Sequence, residues 1–394
     1  MSSRTVVLCE PLRTPIGTYN GTLKATPATE LGATVIKAVI AKSGLSPDAV
    51  GGVIMGNVVQ AGNKMNPARQ AAIGADLPVD VPALTVNRVC GSGAQAVANA
   101  ASEVWTGYED VMIAGGMENM DMAPYLIPNG RWGHRMGHAE ILDSMLYDGL
   151  NDAFSDQHSG WHTEDLATKF QISREAQDQW AERSQQRFSA AQADGKFDAE
   201  IVPVMVKGRK GPEPFEKDEH NRPETTYDTL AKLRPAFRKE GTITAGNAPG
   251  LNSAAAAMIV AEKGFAEKNG LNPVAELKGY AVAGVEPGMF GIGPVPAVRK
   301  LLDRVGWTVN DVQRVEVNEA FAAVALAVSQ ELGFAHDVVN VEGGSIAHGH
   351  PIGATGAVLT TRLLHSMKRD GLKRGVVTAC IGGGQGIAIA VEML

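Results

Sequence analysis

Runs of apolar residues separated by helical patterns recur along the chain in the order strand, helix, strand. The stretch ALTVNRVCGSGAQAVANAA (83–101) predicts a strand, a glycine-rich turn and a small-residue helix, which leads to the apolar strand DVMIAGG (110–116). Residues 337–359, DVVNVEGGSIAHGHPIGATGAVL, predict the same succession and lead to GVVTACIGGG (375–384). Because near-continuous apolar strands are typical of sheets that helices cover on both faces, the pattern predicts an α/β fold with mixed, mainly parallel sheets.

A second pair of segments supports an internal duplication. SGLSPDAVGGVIMGNV (43–58) aligns with VGWTVNDVQRVEVNEA (305–320). Together with the first pair, the repeat runs through residues 43–116 and 305–384, which is longer than a solenoid unit and favours duplicated domains. We therefore expect two pseudo-symmetric halves, an N-terminal half of residues 1–118 and 245–272 and a C-terminal half of residues 273–394.

Residues 119–244 differ from both halves and include the loop-rich tract KGRKGPEPFEKDEHNRPETT (207–226). One amphipathic helix is predicted in this segment, with Ser173 as its N-cap and an end near Gly195. We expect this inserted loop domain to lie over the N-terminal half and to bind a substrate there.

The net charge and the cysteine content narrow the possible functions. The formal net charge of −7 argues against nucleic acid as a main partner, since phosphate binding needs a basic face. No stretch approaches the ~20 apolar residues of a membrane span, and the apolar run before Glu10 is too short for a signal peptide. Three cysteines do not make a disulfide framework. These features predict a reduced, cytoplasmic protein with neither a nucleic acid nor a membrane as partner.

Cys90 lies at the hinge between the strand and the helix of the first repeat. There the positive end of the helix dipole and nearby backbone N–H donors favour a thiolate, so a lowered pKa is expected. Gly91 and Gly93 are expected to let a substrate approach the backbone. Two interpretations stay open at this point, a reactive nucleophile or one of the many cysteines that are simply buried.

His350 lies in the matching turn of the second repeat. If a pseudo-twofold axis relates the halves, both turns can face one cleft, and His350 could accept the Cys90 proton. Cys380, at a strand end before a glycine run, could be a second thiol that moves protons beside oxyanion-binding N–H groups. Asn318 and Glu319 follow another strand, where either could cap a helix and the Asn amide could position a water. Each of these residues also has a purely structural interpretation.

Two other kinds of site are compatible with the same segments. GSGAQA (91–96) matches a weak dinucleotide fingerprint at a strand-to-helix turn, which would indicate an NAD(P)-dependent oxidoreductase. Against it, a thiol before the first glycine contributes nothing to pyrophosphate binding, and glycines rather than an acidic residue end the next strand. A metal is not expected, because the histidine pairs lie in separate segments and the cysteines lack CxxC spacing. These pairs are His134/His138, His158/His162 and His348/His350.

Four motifs carry a resemblance that covers essentially the whole chain. NRVCGSG (87–93), NEAFA (318–322), GHPIGATG (349–356) and CIGGGQG (380–386) resemble, in order and spacing, the signature segments of the thiolase family. The resemblance implies a duplicated αβαβα fold and the activity of an acetyl-CoA acetyltransferase or 3-ketoacyl-CoA thiolase. It implies acetyl-CoA, 3-ketoacyl-CoA and CoA as partners, with coenzyme A as a cosubstrate and no metal or redox cofactor.

The resemblance also implies catalytic roles. Cys90 would be the nucleophile, His350 would activate it and polarise a thioester oxygen, and Cys380 would be the acid or base at the acetyl-CoA methyl carbon and the CoA thiol. Asn318 would hold a water in an oxyanion hole shared with His350. The N–H groups of Cys90 and Gly382 would bind the acyl-enzyme oxygen. A covalent intermediate of this kind predicts ping-pong kinetics.

Residues in and beside the inserted segment fall where the family contacts CoA, although their motifs are looser. They are Leu150, His158, Arg222, Thr229, Phe237 and Ala245. Pro249 stands where a serine hydroxyl usually faces the pantetheine, and it offers neither a hydroxyl nor an N–H. Ser253 and Ala254 replace Asp-Gly. Phe290 replaces a methionine beside the acyl pocket, and His348 replaces an aliphatic residue. These departures bear on CoA affinity and acyl preference more than on the chemistry.

The direction of the reaction, the length of the acyl chain and the oligomeric state stay open. Thiolysis is favoured in the family, as in fatty acid β-oxidation, so a biosynthetic use would depend on product removal. The resemblance implies a homodimer, or a homotetramer of two dimers joined through residues 120–137. A non-enzymatic alternative is a thiolase-like CoA or acyl carrier that has lost turnover. The intact catalytic residues argue against a carrier, while Pro249 keeps it open.

Overall fold

Strands and helices alternate along the chain, and the computed structural model describes residues 4–208 and 210–394. The strands are β1 (Val6–Arg13), β2 (Gly17–Thr18), β3 (Gly52–Gly56), β4 (Ala83–Val86), β5 (Val111–Asn119), β6 (Tyr125–Leu126), β7 (Leu142–Asp143), β8 (Val204–Lys207), β9 (Pro212–Phe215), β10 (Asn252–Glu262), β11 (Pro273–Gly284), β12 (Arg314–Val317), β13 (Arg374–Ile381) and β14 (Gln385–Met393). The helices are α1 (Ala28–Ser43), α2 (Pro67–Gly74), α3 (Ser92–Thr106), α4 (Ser159–Lys169), α5 (Arg174–Ala193), α6 (Tyr227–Leu230), α7 (Lys263–Lys268), α8 (Pro294–Val305), α9 (Ala322–Leu332), α10 (Ser345–His348) and α11 (Ile352–Asp370). In this described part of the chain, no helix has both the length and the apolar character needed to span a membrane.

One mixed sheet joins the two halves of the chain. Its strand order is β12-β13-β14-β11-β1-β10-β5-β3-β4, and β2 pairs with the start of β10. Read from the centre outward, the N-terminal half contributes the strands β1-β10-β5-β3-β4. The C-terminal half contributes the matching series β11-β14-β13-β12 on the other side. The two series meet at the antiparallel pair β1/β11, where Leu8 pairs with Ala275. A short parallel bridge from Val315 to Val339 stands where β4 stands in the other half. The strand order therefore shows the duplication that the sequence repeat predicts.

The sheet is mixed, as predicted, but the expectation of mainly parallel pairing is wrong. β3 pairs in parallel with β4 and β5, and β12 pairs in parallel with β13. The pairs β1/β10, β1/β11, β5/β10, β11/β14 and β13/β14 are antiparallel. A continuous apolar strand indicates burial on both faces but not strand direction, because helices can cover antiparallel strands equally well.

Helices and strands stack in the five layers of the predicted αβαβα arrangement. α3 and α11 lie in the middle, where they share one apolar core with strands of both halves. α1 and α2 cover the outer face of the N-terminal strands, and α8 and α9 cover the outer face of the C-terminal strands. Along β1, Val6 and Leu8 belong to the middle core while Val7 and Cys9 belong to the outer core. Both faces of the strand are buried, which explains its unbroken apolar sequence.

The two middle helices approach closely because glycines lie at their contact. A Cβ at Gly93 of α3 would lie 2.6 Å from the backbone nitrogen of Ala357 in α11. A Cβ at Gly356 of α11 would lie 2.3 Å from the backbone nitrogen of Ala94 in α3. Gly56, at the end of β3, has no room for a Cβ because the first turns of both helices contact it. The N-termini of α3 and α11, which carry the two repeated turns, therefore meet in the middle layer.

The inserted segment connects β5 to β10 and carries α4, α5 and the small hairpins β6/β7 and β8/β9. α5 begins after its N-cap Ser173, as predicted. The expectation that the segment lies over the N-terminal half is wrong for its helices, because Leu166 of α4 and Trp180 of α5 join the core of α8 and α9. The hairpin β8/β9 does meet the N-terminal half, since Val204 belongs to its outer core and Val206 and Phe215 pack against that core. An amphipathic pattern predicts that one helix face is buried, but it does not say which half receives that face.

Candidate active site

A cavity of about 650 Å³ lies where the N-termini of α3 and α11 meet. Cys90 and His350, from the two repeated turns, both line it. Gly382, which follows β13, lines it as well. Four aromatic residues, Tyr147, Phe237, Phe290 and Phe321, also line it. The two repeated turns therefore face one largely apolar cavity.

A tight turn presents Cys90 to this cavity. Val89, the residue before it, has a φ of 43°, a left-handed conformation that is strained for a β-branched residue. Ser92 Oγ accepts the Arg88 N–H at 2.8 Å and donates to the Val89 carbonyl at 2.7 Å, which holds the turn closed. The 15-residue helix α3 begins at Ser92. Cys90 is partly exposed, and the exposed part faces the cavity.

The Cys90 thiol does not have the lowered pKa that its place before a helix predicts. Burial raises the Cys90 pKa to about 11, and the charge of Glu118 adds to the increase. The N–H groups of Gly382 and of Cys90 itself lower the pKa, but desolvation is the larger effect. The prediction was wrong because it weighed the helix dipole without the cost of removing a charge from water. Cys90 is therefore a neutral thiol at rest, with two N–H donors already in place beside it.

Gly91 and Gly93 do not open the turn to a substrate, contrary to expectation. A Cβ at Gly91 would lie 2.6 Å from the side chain of Ile381, and a Cβ at Gly93 would meet α11. Both glycines therefore allow protein to pack on protein. This packing also argues against the dinucleotide interpretation, because a pyrophosphate would need the space that these contacts occupy.

Hydrogen bonds fix both the ring and the backbone of His350. Its Nδ1 lies 2.6 Å from the Thr355 hydroxyl, which itself donates to the Pro351 carbonyl at 2.9 Å. Because that hydroxyl has only one proton, the Nδ1–H must donate to it, and Nε2 remains an acceptor. The His350 N–H donates to Asn252 Oδ1 at 2.8 Å. Burial lowers the His350 pKa to about 4, so the imidazole is neutral at pH 7 and can accept a proton.

Asn318 and Cys380 lie beside these groups without lining the cavity. Asn318 Nδ2 is 3.4 Å from His350 Nε2, and Asn318 Oδ1 accepts a hydrogen bond from Ser345 Oγ at 2.8 Å. Cys380 is fully buried at the end of β13. Burial, and then the charge of nearby Cys90, raises the pKa of the Cys380 thiol well above its ordinary value. The side chains expected to be catalytic from the sequence therefore form one cluster.

The residues expected to contact CoA divide between the cavity and a neighbouring cleft. Those that line the cavity are Leu150, His158, Phe237, Ala245 and Pro249. Arg222 and Thr229 instead line a cleft of about 330 Å³. The cleft shares Ala245, Ala248 and Gly250 with the cavity, so the two spaces adjoin. A long ligand could therefore extend from the Cys90 thiol in the cavity to the Arg222 guanidinium in the cleft.

His158 and Phe237 form one aromatic wall of the cavity. Their rings stack with centroids 4.6 Å apart. His158 Nδ1 accepts the Gly160 N–H at 3.0 Å in the first turn of α4, so the ring proton is on Nε2. Burial lowers the His158 pKa to about 4, which keeps this wall uncharged at pH 7.

Of the departures noted in the sequence, Pro249 and Phe290 line the cavity, whereas His348 does not. His348 is fully buried, and neither of its ring nitrogens has a hydrogen-bond partner among the described residues. The Ser253 hydroxyl donates to Asp121 Oδ2 at 3.3 Å, and Ala254 is buried in the core. Of these departures, only Pro249 and Phe290 can therefore contact a ligand in the cavity.

Sequence reasoning did not single out three residues of this neighbourhood as functional, namely Glu118, Asn252 and Thr355. Glu118 interrupts the apolar strand β5 near its end, and a charged residue within a buried strand is a signal that could have found it. Asn252 and Thr355 occupy ordinary positions at the start of β10 and in the first turns of α11, and nothing in their local sequence marks them. In the described residues, no group of three or more His, Cys, Asp or Glu side chains could hold a metal ion.

Comparison with known proteins extends the resemblance over nearly the whole chain. The family profiles "Thiolase, N-terminal domain" and "Thiolase, C-terminal domain" match residues 6–264 and 271–393. The acetyl-CoA acetyltransferase of Chromobacterium violaceum is 53% identical over 388 residues, which cover 98% of this chain and 99% of that protein. The acetyl-CoA acetyltransferase of Cupriavidus necator is 50% identical over 388 residues, with the same coverage.

Solved structures agree with this assignment. The crystal structure of the Bacillus anthracis acetyl-CoA acetyltransferase has a TM-score of 0.98 and 42% identity, and the match covers 100% of both chains. Human mitochondrial 3-ketoacyl-CoA thiolase has a TM-score of 0.96 and 42% identity, covering 99% of both chains. The two profile matches, these identities and the shared five-layer fold show that the chain belongs to the thiolase family.

Proposed function

We propose that the protein is a CoA-dependent acyltransferase that makes or cleaves the carbon–carbon bond of acetoacetyl-CoA and other 3-ketoacyl-CoA esters. The observation that carries the proposal is the position of Cys90, with two N–H donors at its sulfur, in the cavity that His350 also lines. Membership of the thiolase family supports it. A nucleophile, a base and an oxyanion site on one cavity are what acyl transfer through a thioester intermediate needs.

In the cleavage direction, the Cys90 sulfur attacks the 3-keto carbon while its proton passes to Nε2 of His350. The carbon–carbon bond next to that carbonyl breaks, and its electron pair leaves with acetyl-CoA as an enolate. Cys380 donates a proton to the enolate carbon, which completes acetyl-CoA. The N–H groups of Cys90 and Gly382 bind the oxygen of the attacked carbonyl, and losing one donor of this kind typically costs ~2.7–4 kcal/mol.

The second half-reaction transfers the acyl group to CoA. The CoA thiol gives its proton to the Cys380 thiolate, and its sulfur attacks the acyl carbon on Cys90. The acyl-CoA product leaves, and Cys90 regains its proton from His350. During the first step, protonated His350 and a water on Asn318 would bind the enolate oxygen. In support, Asn318 Nδ2 lies 3.4 Å from the neutral His350 Nε2 at rest, and protonation of Nε2 would free the Asn318 N–H for a water.

The two pKa values constrain when the proton moves. A Cys90 pKa of about 11 and a His350 pKa of about 4 make a resting thiolate–imidazolium pair unfavourable. Proton transfer is therefore expected to accompany attack on the bound substrate, when charge passes from the sulfur to a carbonyl oxygen that the N–H donors already face. The raised pKa thus keeps Cys90 a neutral, weakly nucleophilic thiol in the absence of substrate.

The cavity and its neighbouring cleft suit the two parts of CoA. The narrow, mostly apolar cavity fits a pantetheine arm, and Arg222 in the cleft offers a cation for a phosphate. We propose CoA as a cosubstrate, and the steps above use no metal and no redox cofactor.

We also propose that the chain acts as a homodimer or homotetramer, in the cytoplasm, with thiolysis in fatty acid β-oxidation as its direction. The edge strand β4 exposes 48% of Leu84, and an exposed strand edge favours pairing with another chain. In the inserted segment, Trp132 and Met136 are 81% and 91% exposed. Sedimentation velocity tests the assembly, and a monomer at micromolar concentration would contradict it.

Phe290 lines the cavity, and we propose that it sets the acyl chain length that the cavity accepts. Comparing thiolysis of short and medium 3-ketoacyl-CoA chains tests this proposal.

The covalent step is tested by incubating the protein with acetyl-CoA, quenching in acid and analysing its peptides by mass spectrometry. We expect an acetyl group on Cys90 that is absent from Cys90→Ala. Cys9→Ala is a matched control, because Cys9 lies buried in β1 and does not line the cavity. Thiolysis of acetoacetyl-CoA by free CoA then separates an enzyme from a carrier. Acetylation without turnover would indicate the carrier, and no acetylation of Cys90 would refute the mechanism.

A further inference from the structure

Glu118 is a fully buried carboxylate near the end of β5, and the reaction steps above give it no role. Its Oε2 accepts the N–H groups of Gly353 at 2.8 Å and Val58 at 3.0 Å. Its Oε1 accepts Asn57 Nδ2 at 2.8 Å and the Val59 N–H at 3.3 Å. All four partners are donors, and the ionised carboxylate, which is acceptor-only, can accept from all of them. The contacts therefore favour the ionised form of Glu118, although burial opposes it.

One of these contacts fixes the start of α11. Gly353 is the second residue of the helix, and its N–H is one of the donors that a helix leaves unpaired at its beginning. The helix dipole favours a negative charge at this end. A Cβ at Gly353 would lie 2.7 Å from Glu118 Oε2, so the missing side chain makes room for the carboxylate. His350 stands three residues before Gly353 and is held by the same first turn.

The other contacts fix the loop that follows β3. Val58 and Val59 pack with Ile352 in a small apolar cluster, and Cys90 packs against this cluster. Ile352 also lines the cavity. Glu118 therefore connects a loop of the N-terminal half to a helix of the C-terminal half directly beside the nucleophile.

We propose that Glu118 is a positioning residue whose carboxylate joins the loop after β3 to the first turn of α11 and so sets His350 against Cys90. The inference rests on the proposed acyl transfer, in which His350 receives the Cys90 proton. A second effect follows from the charge, because an anion near the sulfur disfavours the thiolate and raises the Cys90 pKa. Burial raises the pKa of Glu118 to about 7, and the backbone donors of Val58, Gly353 and Val59 act in the opposite direction.

Other titratable groups share the surroundings of Cys90, and the test leaves them unchanged. They are His350, Cys380, His158 and the cavity carboxyls Asp148, Asp152 and Asp156. The loop after β3 and the start of α11 present only uncharged groups to Glu118. A change in Cys90 titration on replacing Glu118 is therefore attributable to that carboxylate.

The test compares Glu118→Gln with Glu164→Gln in the full-length protein. Glu164 is a matched control because it is also buried and accepts the N–H groups of Thr242 at 2.8 Å and Ile243 at 3.0 Å. For each variant, kcat and KM are measured for acetoacetyl-CoA thiolysis. The rate of Cys90 alkylation by iodoacetamide is then followed against pH by mass spectrometry. In Glu118→Gln, we expect kcat to fall about 10- to 100-fold with a smaller change in KM, and the alkylation profile to move to lower pH.

Several outcomes overturn the inference. In folded Glu118→Gln, it fails if kcat stays at the wild-type value, or if the alkylation profile moves no more than in Glu164→Gln. If Glu118→Gln does not fold, Glu118→Asp decides, because it keeps the charge but shortens the reach to Gly353. Loss of kcat with a wild-type alkylation profile then supports positioning, and wild-type kcat contradicts it. If the wild-type protein has no thiolase turnover, the proposed function fails, and the alkylation comparison alone decides whether Glu118 acts on Cys90.

Discussion

The turn before α3 and the turn before α11 occupy matching places in the two halves, yet each holds its functional side chain in a different way. Cys90 is partly exposed and follows Val89, whose φ of 43° strains the backbone. His350 is only 7% exposed, and Thr355 and Asn252 hold its ring and its N–H. The backbone holds Cys90 and leaves its sulfur accessible, whereas side chains hold the ring of His350 and leave its Nε2 as an acceptor.

The difference shows what a duplicated scaffold supplies and what it does not. The duplication brings two helix N-termini to one cavity, because α3 and α11 cross at Gly93 and Gly356. It does not supply the chemistry, since a nucleophile has to reach a substrate and a base has to keep one tautomer. Each turn therefore acquired its own contacts, donors at the sulfur of Cys90 and an acceptor at Nδ1 of His350.

Removing the imidazole of His350, the proposed base, is expected to have the largest effect. His350→Ala should lower kcat/KM for acetoacetyl-CoA thiolysis by ~10²–10⁴-fold, the usual contribution of a positioned general base. His365→Ala is the matched control, because His365 lies in α11, the helix that follows His350, and contacts the Pro11 carbonyl at 2.9 Å without lining the cavity. Equal losses in the two variants would show that the helix, rather than the imidazole at the cavity, is what matters.

The crossing of the two middle helices gives the next largest effect. Gly93→Ala and Gly356→Ala each place a Cβ against the backbone of the other helix, so each should lower the free energy of unfolding by about 1–3 kcal/mol. Urea unfolding measures both values. Gly264→Ala is the control, since its Cβ would meet only the flexible Glu262 side chain. A large loss in one variant and none in the other would contradict a symmetric crossing.

The sequence predicts the features that the two halves share better than the features in which the two turns differ. The repeat of 43–58 in 305–320 predicts matching halves, and the strand order shows them. The motifs predict that Cys90 and His350 are functional, and the structure places both at one cavity. Spacing along the chain carries this information, because equivalent segments of a duplicated fold occupy equivalent places.

Effects that depend on the surroundings of a residue could not be predicted in this way. The raised pKa of Cys90 depends on how much water the folded chain excludes, which no local pattern reports. The role of Gly91 in packing against Ile381 depends on a segment almost three hundred positions later in the chain. Strand direction was also missed, because apolar runs in antiparallel and parallel strands look alike when helices cover both faces.

The hydroxyl that orients His350 should have an intermediate effect. Thr355→Val keeps the shape of the side chain but leaves the buried Nδ1–H without its acceptor, at a cost of about 1–3 kcal/mol, so kcat should fall about tenfold. Thr355→Ser retains the hydroxyl and should stay close to wild type. The comparison is made on kcat for thiolysis, with thermal unfolding as a check on the fold. If the valine and serine variants have the same kcat, the ring is held by packing alone.

The smallest expected effect is on stability and concerns the residues two positions before Cys90 and His350. Arg88 Nη1 donates to Gln385 Oε1 at 2.6 Å. His348 is buried, and its ring nitrogens have no hydrogen-bond partner among the described residues. Burial, followed by the charges of nearby arginines, lowers the His348 pKa well below its ordinary value. The unfolded chain therefore binds a proton below about pH 6.5 that the folded chain does not, and stability is lost as pH falls.

His350, with a pKa of about 4, acts in the same direction, so the wild-type protein carries both contributions. His348→Leu removes one of them and replaces it with an apolar side chain of similar volume. Its free energy of unfolding in urea should fall less steeply between about pH 6.5 and pH 5 than that of the wild type, while thiolysis at pH 8 stays unchanged. Parallel slopes would mean that His348 takes up as many protons in the folded chain as in the unfolded chain, so that burial does not lower its pKa.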